Sequence, residues 1–102
     1  MHDDWYWALT FKVVKTMYYA YVLISLVDKK FYIGFSEDVL RRVEEHNEGK
    51  VPSTKTRRPF KLLYYEAHLS KKDALRREDY FKTTKGRSTL NQILRESLSA
   101  IK

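Results

Sequence analysis

Five side chains along this chain are of types that can bind a phosphate group, move a proton or hold a metal ion. They are Tyr21, Tyr32, Arg42, His46 and Glu78. An arginine can contact a phosphate through two donors and neutralise charge that builds in a transition state. A histidine can move a proton or orient a water molecule. One carboxylate can hold Mg²⁺ when waters and phosphate oxygens complete the coordination. The five suit one reaction only if the fold brings them together.

Glu78 lies on the face of a predicted helix that should turn toward the core. Ala74, Glu78 and Phe81 are spaced i, i+4 and i+7. A buried carboxylate needs a basic partner, backbone donors or a metal ion. The structural alternative to a metal ligand is a salt bridge to one of three arginines: Arg76, Arg77 or Arg42.

The remaining four residues also have structural alternatives. Arg42 and His46 are spaced i, i+4, so they share one face of a helix. Arg42 can instead pair within that helix with Asp38 or Glu45, and His46 can cap the helix C-terminus. The two tyrosines, taken alone, are typical of strand packing.

A β-hairpin is predicted to position the two tyrosines. Residues 19–27 and 31–35 are β-branched and aromatic, and Asp28-Lys29-Lys30 forms the turn between them. One register puts the apolar sets of both strands on one face, with an even-numbered residue opposite an odd-numbered one. These sets are Ala20, Val22, Ile24 and Leu26, and Phe31, Ile33 and Phe35. The other face is predicted to carry Tyr19, Tyr21, Ser25, Tyr32 and Gly34. Its glycine allows a close approach to the backbone.

A helix and a third strand are predicted after the hairpin. Ser36 is a favourable N-cap, and the helix runs to about Glu48, with Gly49 as its C-terminal stop. Its inner stripe is Val39, Leu40 and Val43. Residues 60–67 are predicted to form the third strand.

Two more helices complete the predicted fold. Ser70 with Asp73 resembles a capping box that opens a second helix, which ends near Thr84. Lys85-Gly86-Arg87 breaks it, and Ser88 caps a short third helix. The apolar residues of that helix are Ile93, Leu94, Leu98 and Ile101. The order ββαβαα predicts an α+β fold, a small three-stranded antiparallel sheet flanked by helices.

Length and composition limit the classes of protein. A chain of 102 residues has room for one compact domain, predicted over residues 17–102. Residues 1–16 are interpreted as an appended segment of unknown role, and Met17 as an alternative translation start. The absence of cysteine excludes disulfides and thiolate metal sites. No apolar run is long enough to span a membrane, so we expect a cytoplasmic protein.

The basic charge is concentrated in one segment. The net charge is +7, which favours a polyanionic partner. Between positions 50 and 61 there are five basic residues and no acid: Lys50, Lys55, Arg57, Arg58 and Lys61. This segment is predicted to follow a phosphate backbone, with a solubilising loop as the structural alternative.

The ordered set of residues resembles the GIY-YIG nuclease family. Tyr32-Ile33-Gly34 is the literal second half of the motif, and Ala20-Tyr21-Val22 is a degenerate first half that keeps the tyrosine. Tyr19 is an alternative for that tyrosine. Arg42, His46 and Glu78 follow in the family order, and Asn91 matches the asparagine that often closes the motif.

Further segments are similar to the short stand-alone bacterial members, which are related to the N-terminal domain of the excinuclease of nucleotide-excision repair. These segments are His46-Asn47-Glu48-Gly49, Thr56-Arg57-Arg58-Pro59 and Ala74-Leu75-Arg76-Arg77-Glu78. Phe35 stands where the excision-repair relatives have a lysine, which separates this chain from that branch.

The resemblance implies a metal-dependent endonuclease that hydrolyses phosphodiester bonds in nucleic acid. We expect DNA rather than RNA as the substrate, in repair, recombination or restriction. Glu78 would hold one Mg²⁺ or Mn²⁺ ion. Tyr21 would take a proton from the attacking water, directly or through neighbours, and Tyr32 would position water or phosphate. Arg42 would stabilise the transition state and His46 would assist proton transfer.

Two alternatives come from other functional classes. One is a nucleic-acid-binding module with a decayed or very slow active site. The other is a protein-interaction domain that uses the aromatic residues Trp5, Tyr6 and Trp7. The sequence specifies neither the structure of the substrate nor the oligomeric state.

Overall fold

The strands form a sheet in which the first strand is central. The computed structural model describes residues 17–101 of the chain. Strands β1 (Tyr18–Ser25), β2 (Phe31–Ser36) and β3 (Phe60–His68) are antiparallel and lie in the order β2-β1-β3. The helices are α1 (Val39–Asn47), α2 (Lys71–Phe81), α3 (Thr84–Ile93) and α4 (Arg95–Ile101), and a 3-10 helix spans Pro52–Arg57. The predicted fold class, α+β with a three-stranded antiparallel sheet, is confirmed.

The predicted register of the hairpin is also confirmed. Ala20 lies opposite Phe35, and Val22 lies opposite Ile33. Tyr21 is therefore opposite Gly34, on the same face as Tyr32. A one-residue slip would exchange the two faces, so this register is what brings the two phenols together.

Both faces of the sheet are covered, and each has its own apolar cluster. On one face, α2, α3 and α4 supply the side chains that pack against β1 and β2. This cluster is Val22, Ile33, Phe81, Leu90 and Leu94. On the other face, α1 covers the sheet with a cluster of Tyr21, Leu23, Val39 and Phe60. Because β1 is buried on both sides, every residue from Ala20 to Ser25 is buried.

The first strand ends earlier than predicted. It stops at Ser25, and Leu26 is 39% exposed in the turn rather than part of the apolar face. The Ser25 hydroxyl accepts hydrogen bonds from the backbone N–H groups of Val27 and Asp28, both 3.1 Å away. A serine that bonds its own following backbone competes with the sheet ladder, so the turn begins there.

The start of α1 differs from the prediction, and its end agrees. The N-cap is Asp38, whose carboxylate accepts from the Arg41 N–H, and Ser36 instead bonds the backbone of Asp38. Leu40 was predicted to face the core but is 72% exposed. The buried residues of the helix, Val39 and His46, are spaced i, i+7 and define an inner face from which Leu40 is turned away. Gly49 follows the helix with a φ of 77°, as its role as a stop requires.

The prediction is least accurate from the start of α2 onward. Ser70 is the N-cap of α2, but its side chain makes no capping bond, so the capping box does not form. The predicted break at Lys85-Gly86-Arg87 and the cap at Ser88 are wrong: Thr83 caps a helix that includes Gly86. A side chain at Gly86 would overlap the Tyr80 carbonyl. The glycine therefore allows α2 and α3 to pack closely.

The predicted third helix is divided into α3 and α4 at Leu94. Of its predicted apolar residues Leu94 is buried, whereas Ile93 is 48% exposed. The inner face instead uses Leu90, which is fully buried and which the prediction omitted.

Residues 1–16, including the proposed appended segment, lie outside the described part of the chain, which begins at Met17. Within residues 17–101, no helix combines the length and the apolar character that crossing a membrane requires.

Candidate active site

The candidate site is centred on the hydroxyl of Tyr21. This hydroxyl lies 3.0 Å from Nε2 of His46, and the two side chains come from β1 and from the last turn of α1. Tyr21 is 1% exposed and His46 is fully buried. The hydrogen bond therefore lies in a region from which bulk water is largely excluded, where polar interactions are stronger.

Gly34 gives the Tyr21 ring its position. A methyl group on Gly34 would overlap the ring and lie 2.5 Å from the hydroxyl oxygen. The tyrosine side chain thus crosses directly over the β2 backbone. The sequence predicted that something approaches this glycine closely, and the structure identifies it as the ring of Tyr21.

His46 has a second partner that the sequence analysis missed. Its Nδ1 lies 2.8 Å from Oγ1 of Thr54, a buried residue of the 3-10 helix. Thr54 lies within a polar, basic segment in which no periodicity distinguishes a buried residue from its exposed neighbours. Only the packing of the 3-10 helix against α1 shows that it reaches the imidazole.

Tyr32 stands against the same imidazole. Its ring centroid is 4.7 Å from that of His46 in an edge-on arrangement, and 6.3 Å from that of Tyr21. Phe60 closes the group on its far side, 5.7 Å from the His46 ring. The two phenols, the imidazole and an apolar ring thus form one aromatic cluster.

Arg42 lies at the edge of this cluster. Its Nη1 donates to Oε1 of Glu45 at 2.9 Å, so the predicted intrahelical pair is present, whereas Asp38 is paired with Arg41. The Arg42 guanidinium also lies beside the Tyr21 hydroxyl, where it favours the phenolate and partly opposes the rise in the Tyr21 pKa that burial causes. Its side chain is 36% exposed, so a ligand can reach it.

Glu78 approaches from α2. Its side chain is 16% exposed, and its Oε2 accepts from Lys82 at 3.0 Å. The three arginines proposed as structural partners do not pair with it: Arg76 binds Asp73, Arg77 binds Glu66 and Arg42 binds Glu45. Burial is the main cause of the raised pKa of Tyr21, and the Glu78 charge contributes in the same direction, so the carboxylate lies near that hydroxyl.

Burial keeps the central pair neutral. It raises the pKa of Tyr21 to about 12, with Tyr32 adding to the shift and Arg42 opposing it. Burial also lowers the pKa of His46 to about 4, and the Arg42 charge acts in the same direction. At neutral pH the pair is therefore a phenol hydrogen-bonded to an uncharged imidazole.

The oxygen donors of this site suit a hard cation whose remaining ligands come from water and substrate. Within residues 17–101, no group of three or more histidine or acidic side chains could hold a metal ion by itself. Glu78 offers one carboxylate, of which only Oε2 is engaged by Lys82. A single carboxylate with waters and phosphate oxygens is a common arrangement for Mg²⁺.

The predicted nucleic-acid-binding residues have different surroundings. Arg57 is committed to the fold, since its guanidinium binds Asp28 at 2.6 Å and donates to two backbone carbonyls. Lys50 pairs with Glu48 on the surface. The others in the segment are exposed: Lys55, Arg58 and Lys61.

Two further predicted residues lie apart from the Tyr21 hydroxyl. Asn91 is exposed on α3 and lines a cavity with Ile24 and Phe31, on the opposite face of the sheet. Tyr19 packs edge-on against Tyr65 at 5.7 Å and lines a second cavity beside the start of α1.

Comparisons with known proteins agree with the motif. The model of the GIY-YIG catalytic domain matches residues 17–91. The UPF0213 protein of Streptococcus agalactiae is 42% identical over 82 residues, which is 79% of this chain and 92% of that protein. UPF0213 protein YazA of Bacillus subtilis is 34% identical over 68% of this chain and 71% of its own length.

One solved structure is also similar. It is the solution NMR structure of the UPF0213 protein BH0048 from Bacillus halodurans, with 32% identity and a TM-score of 0.48. The match covers 76% of this chain and 84% of that one. The extent of the family match and the identity to the short stand-alone relatives lead to one conclusion: this chain belongs to the GIY-YIG family.

Proposed function

We propose that this protein is a metal-dependent endonuclease that hydrolyses phosphodiester bonds in DNA. The family match supports nuclease activity in general, and the metal and the choice of DNA are our proposal. The observation that carries it is the buried hydrogen bond between the Tyr21 hydroxyl and His46 Nε2, with the charges of Arg42 and Glu78 nearby. Cleavage in DNA repair, recombination or restriction, in the cytoplasm, would fit such a small basic protein.

The Tyr21–His46 pair would move the proton of the attacking water. A phenol with a pKa of about 12 is a poor base in its resting state. It can accept a proton from water only as its own proton leaves for His46 Nε2, 3.0 Å away. The imidazole is uncharged at neutral pH and has a lone pair for that proton. Because burial lowers the pKa of His46 to about 4, the transfer needs the negative charge that builds on the phosphate.

Arg42 and Tyr32 would act on the phosphate. The exposed part of the Arg42 side chain can donate to phosphate oxygens and stabilise the charge that builds there. Tyr32 is half-buried against His46, so its hydroxyl can position a water or a phosphate oxygen.

Glu78 would hold the divalent cation. When bound, the cation supplies charge that polarises the phosphate and stabilises the leaving oxygen. To bind it, Glu78 must exchange Lys82, an exposed partner at 3.0 Å, for the ion. Lys82 is 50% exposed, so water can solvate its ammonium group when the ion takes its place, whereas Glu78 is 16% exposed and keeps a charged partner throughout.

The basic segment would hold the nucleic-acid backbone. Lys55, Arg58 and Lys61 are exposed, and Lys50 is held only by a surface pair with Glu48. Cations that neutralise phosphates release counterions, so binding should weaken steeply with salt. Arg57 would hold the basic segment in place through its bond to Asp28.

A matched pair of substitutions tests the proposal. Labelled duplex, branched and single-stranded DNA and RNA are incubated with the protein, with and without Mg²⁺ or Mn²⁺. Glu78→Gln should abolish metal-dependent cleavage and leave DNA binding largely intact. Asp79→Asn is the control, because it removes the same charge from an exposed neighbour on α2. Equal cleavage by wild type and Glu78→Gln would refute the assignment.

The burial of the central pair also supports a second candidate, a nucleic-acid-binding module with a very slow site. Tyr21 is 1% exposed and His46 is fully buried, so a water must enter for the pair to act. DNA binding that depends on the basic segment, without cleavage of any substrate in the panel, would favour this candidate.

A further inference from the structure

The buried pair continues into a third side chain that the proposed mechanism does not use. His46 Nε2 lies 3.0 Å from the Tyr21 hydroxyl, and Nδ1 lies 2.8 Å from the Thr54 hydroxyl. A neutral imidazole has one donor nitrogen and one acceptor nitrogen. The partners of the ring therefore decide which nitrogen carries the proton.

We infer that Thr54 is a positioning residue that holds His46 as the Nδ1–H tautomer. Its hydroxyl oxygen accepts the Nδ1–H and so leaves the Nε2 lone pair for the Tyr21 proton. All three side chains are nearly or fully buried, with Thr54 at 1% exposure, so water does not compete for these bonds.

The surroundings of Thr54 favour this direction. The Thr54 hydroxyl has an acceptor of its own, the Val51 carbonyl at 3.4 Å, so it can donate there while it accepts from the ring. The Val51 carbonyl also accepts the Thr54 N–H at 3.1 Å, which closes the first turn of the 3-10 helix. The threonine is thus fixed by its own backbone.

The surroundings of Tyr21 favour the same direction. Arg42, which lies beside the Tyr21 oxygen, is a donor only. In the described part of the chain, the Tyr21 hydroxyl hydrogen-bonds to no acceptor other than His46 Nε2. With the opposite tautomer, Nε2–H would point at the same oxygen as Arg42, and the Tyr21 proton would be left without an acceptor. An unsatisfied buried hydroxyl is costly.

The consequence for the reaction rests on the proposed function. As a water oxygen forms its bond to phosphorus, the water proton passes to the Tyr21 oxygen and the Tyr21 proton passes to Nε2. The imidazole becomes an imidazolium, and its Nδ1–H remains bonded to Thr54. With the proton on Nε2 from the start, this transfer cannot occur without a prior tautomer change.

The tautomer can be read directly by NMR. A long-range ¹H–¹⁵N correlation spectrum of protein labelled with [¹⁵N]histidine distinguishes the protonated from the unprotonated ring nitrogen. The chain has three histidines, His2, His46 and His68. Substituting His2 and His68 one at a time by glutamine assigns the His46 signals. We expect the Nδ1–H pattern in wild type.

Substitutions at Thr54 then test the cause. Thr54→Val keeps the shape of the side chain but removes the hydroxyl, so the Nδ1–H preference should be lost. Thr54→Ser keeps the hydroxyl and should retain it. Thr56→Val, a threonine on the exposed side of the same 3-10 helix, is the matched control. A backbone ¹H–¹⁵N spectrum verifies the fold of each variant.

The kinetic readout separates positioning from folding. Thr54→Val should lower kcat about 10- to 100-fold with KM unchanged, and Thr54→Ser should recover most of the loss. An Nε2–H pattern in wild type, or an unchanged pattern in Thr54→Val, overturns the inference whether or not the protein cuts DNA. Wild type with Nδ1–H but no cleavage refutes the proposed function instead.

Discussion

Each face of the sheet carries a cluster built from the same four residue types: tyrosine, histidine, arginine and glutamate. On the α1 face, the cluster of the candidate site is Tyr21, His46 and Arg42, together with Glu78 of α2, whose charge lies near the Tyr21 hydroxyl. On the α2 face, the second cluster is Tyr64, His68, Arg77 and Glu66. The two differ in how the charges are satisfied.

The second cluster is closed on itself. Arg77 donates to both oxygens of Glu66 at 2.8 Å, and Tyr64 donates to the same carboxylate at 2.9 Å. His68 Nε2 lies 3.2 Å from Oε1 of Glu66. Hydrogen bonding to Arg77 is the main cause that lowers the pKa of Glu66 to about 2. Every charge has a partner, so this cluster joins β3 to α2.

In the candidate site, burial is the main cause of the pKa shifts. It raises the pKa of Tyr21 and lowers that of His46, and in both cases it disfavours the charged form. The uncharged imidazole of His46 keeps a lone pair that can accept a proton, whereas the oxygens of Glu66 are occupied by Arg77 and Tyr64. Identical residue types thus form the proposed proton-transfer site on one face and a hydrogen-bonded ion pair that joins β3 to α2 on the other.

The largest expected difference comes from removing one hydroxyl in each cluster. Tyr21→Phe should lower kcat about 100-fold or more, because the proton route from water to His46 is lost. Tyr64→Phe should leave kcat close to wild type and lower the free energy of unfolding by about 1 kcal/mol. Single-turnover cleavage and urea unfolding measure the two effects.

The comparison fails if these outcomes are exchanged. A slow Tyr64→Phe variant with normal stability would show that the second cluster contributes to catalysis. Tyr21→Phe with normal kcat would leave the first cluster as packing alone. Circular dichroism of both variants ensures that only folded protein is compared.

The two clusters should also lose stability in different ranges of pH. His46 has a pKa lowered from 6.5 to about 4 in the folded state, so the unfolded chain binds more protons between these values. The free energy of unfolding should therefore fall by about 3 kcal/mol as the pH drops from about 6.5 to 4. Glu66, with a pKa lowered to about 2, contributes only below about pH 4.5.

Urea unfolding at a series of pH values checks this separation. In His46→Gln the loss between pH 6.5 and 4 should largely disappear, because glutamine does not titrate. The decline at lower pH should remain, since Glu66 and Asp28, also with a pKa of about 2, are unchanged. An unchanged curve in His46→Gln would mean that burial does not hold this histidine neutral.

Local patterns were sufficient to predict the parts of the site that strands position. Alternation along residues 19–27 and 31–35 fixes the register, and with it the meeting of Tyr21, Tyr32 and Gly34. The α1 residues were placed by their i, i+4 spacing even though the cap was misassigned. Such features depend on neighbours in sequence, so a single sequence contains them.

Contacts between distant segments were not predictable in this way. Thr54 meets His46 only because the 3-10 helix folds back on α1, and no pattern in a polar loop predicts this contact. Gly86 was read as a helix break because glycine is a poor helix former. Its position is set instead by close contact with α2, which overrides that propensity.

An effect smaller than the pH dependence of His46 is expected when the charge of the second cluster is removed. Glu66→Gln removes the charge that Arg77 binds, and the Glu66 side chain is 15% exposed. The free energy of unfolding should fall by about 2 kcal/mol at pH 7, because Arg77 loses a charged partner with two bonds. The difference from wild type should vanish toward pH 2, where the wild-type carboxyl is itself protonated. Glu44→Gln, on the exposed side of α1, controls for lost surface charge.

Cleavage should be normal once the protein is folded, because no bond of Glu66 reaches the candidate site. A cleavage defect at full stability would show that the two faces are coupled through α2, which carries both Arg77 and Glu78.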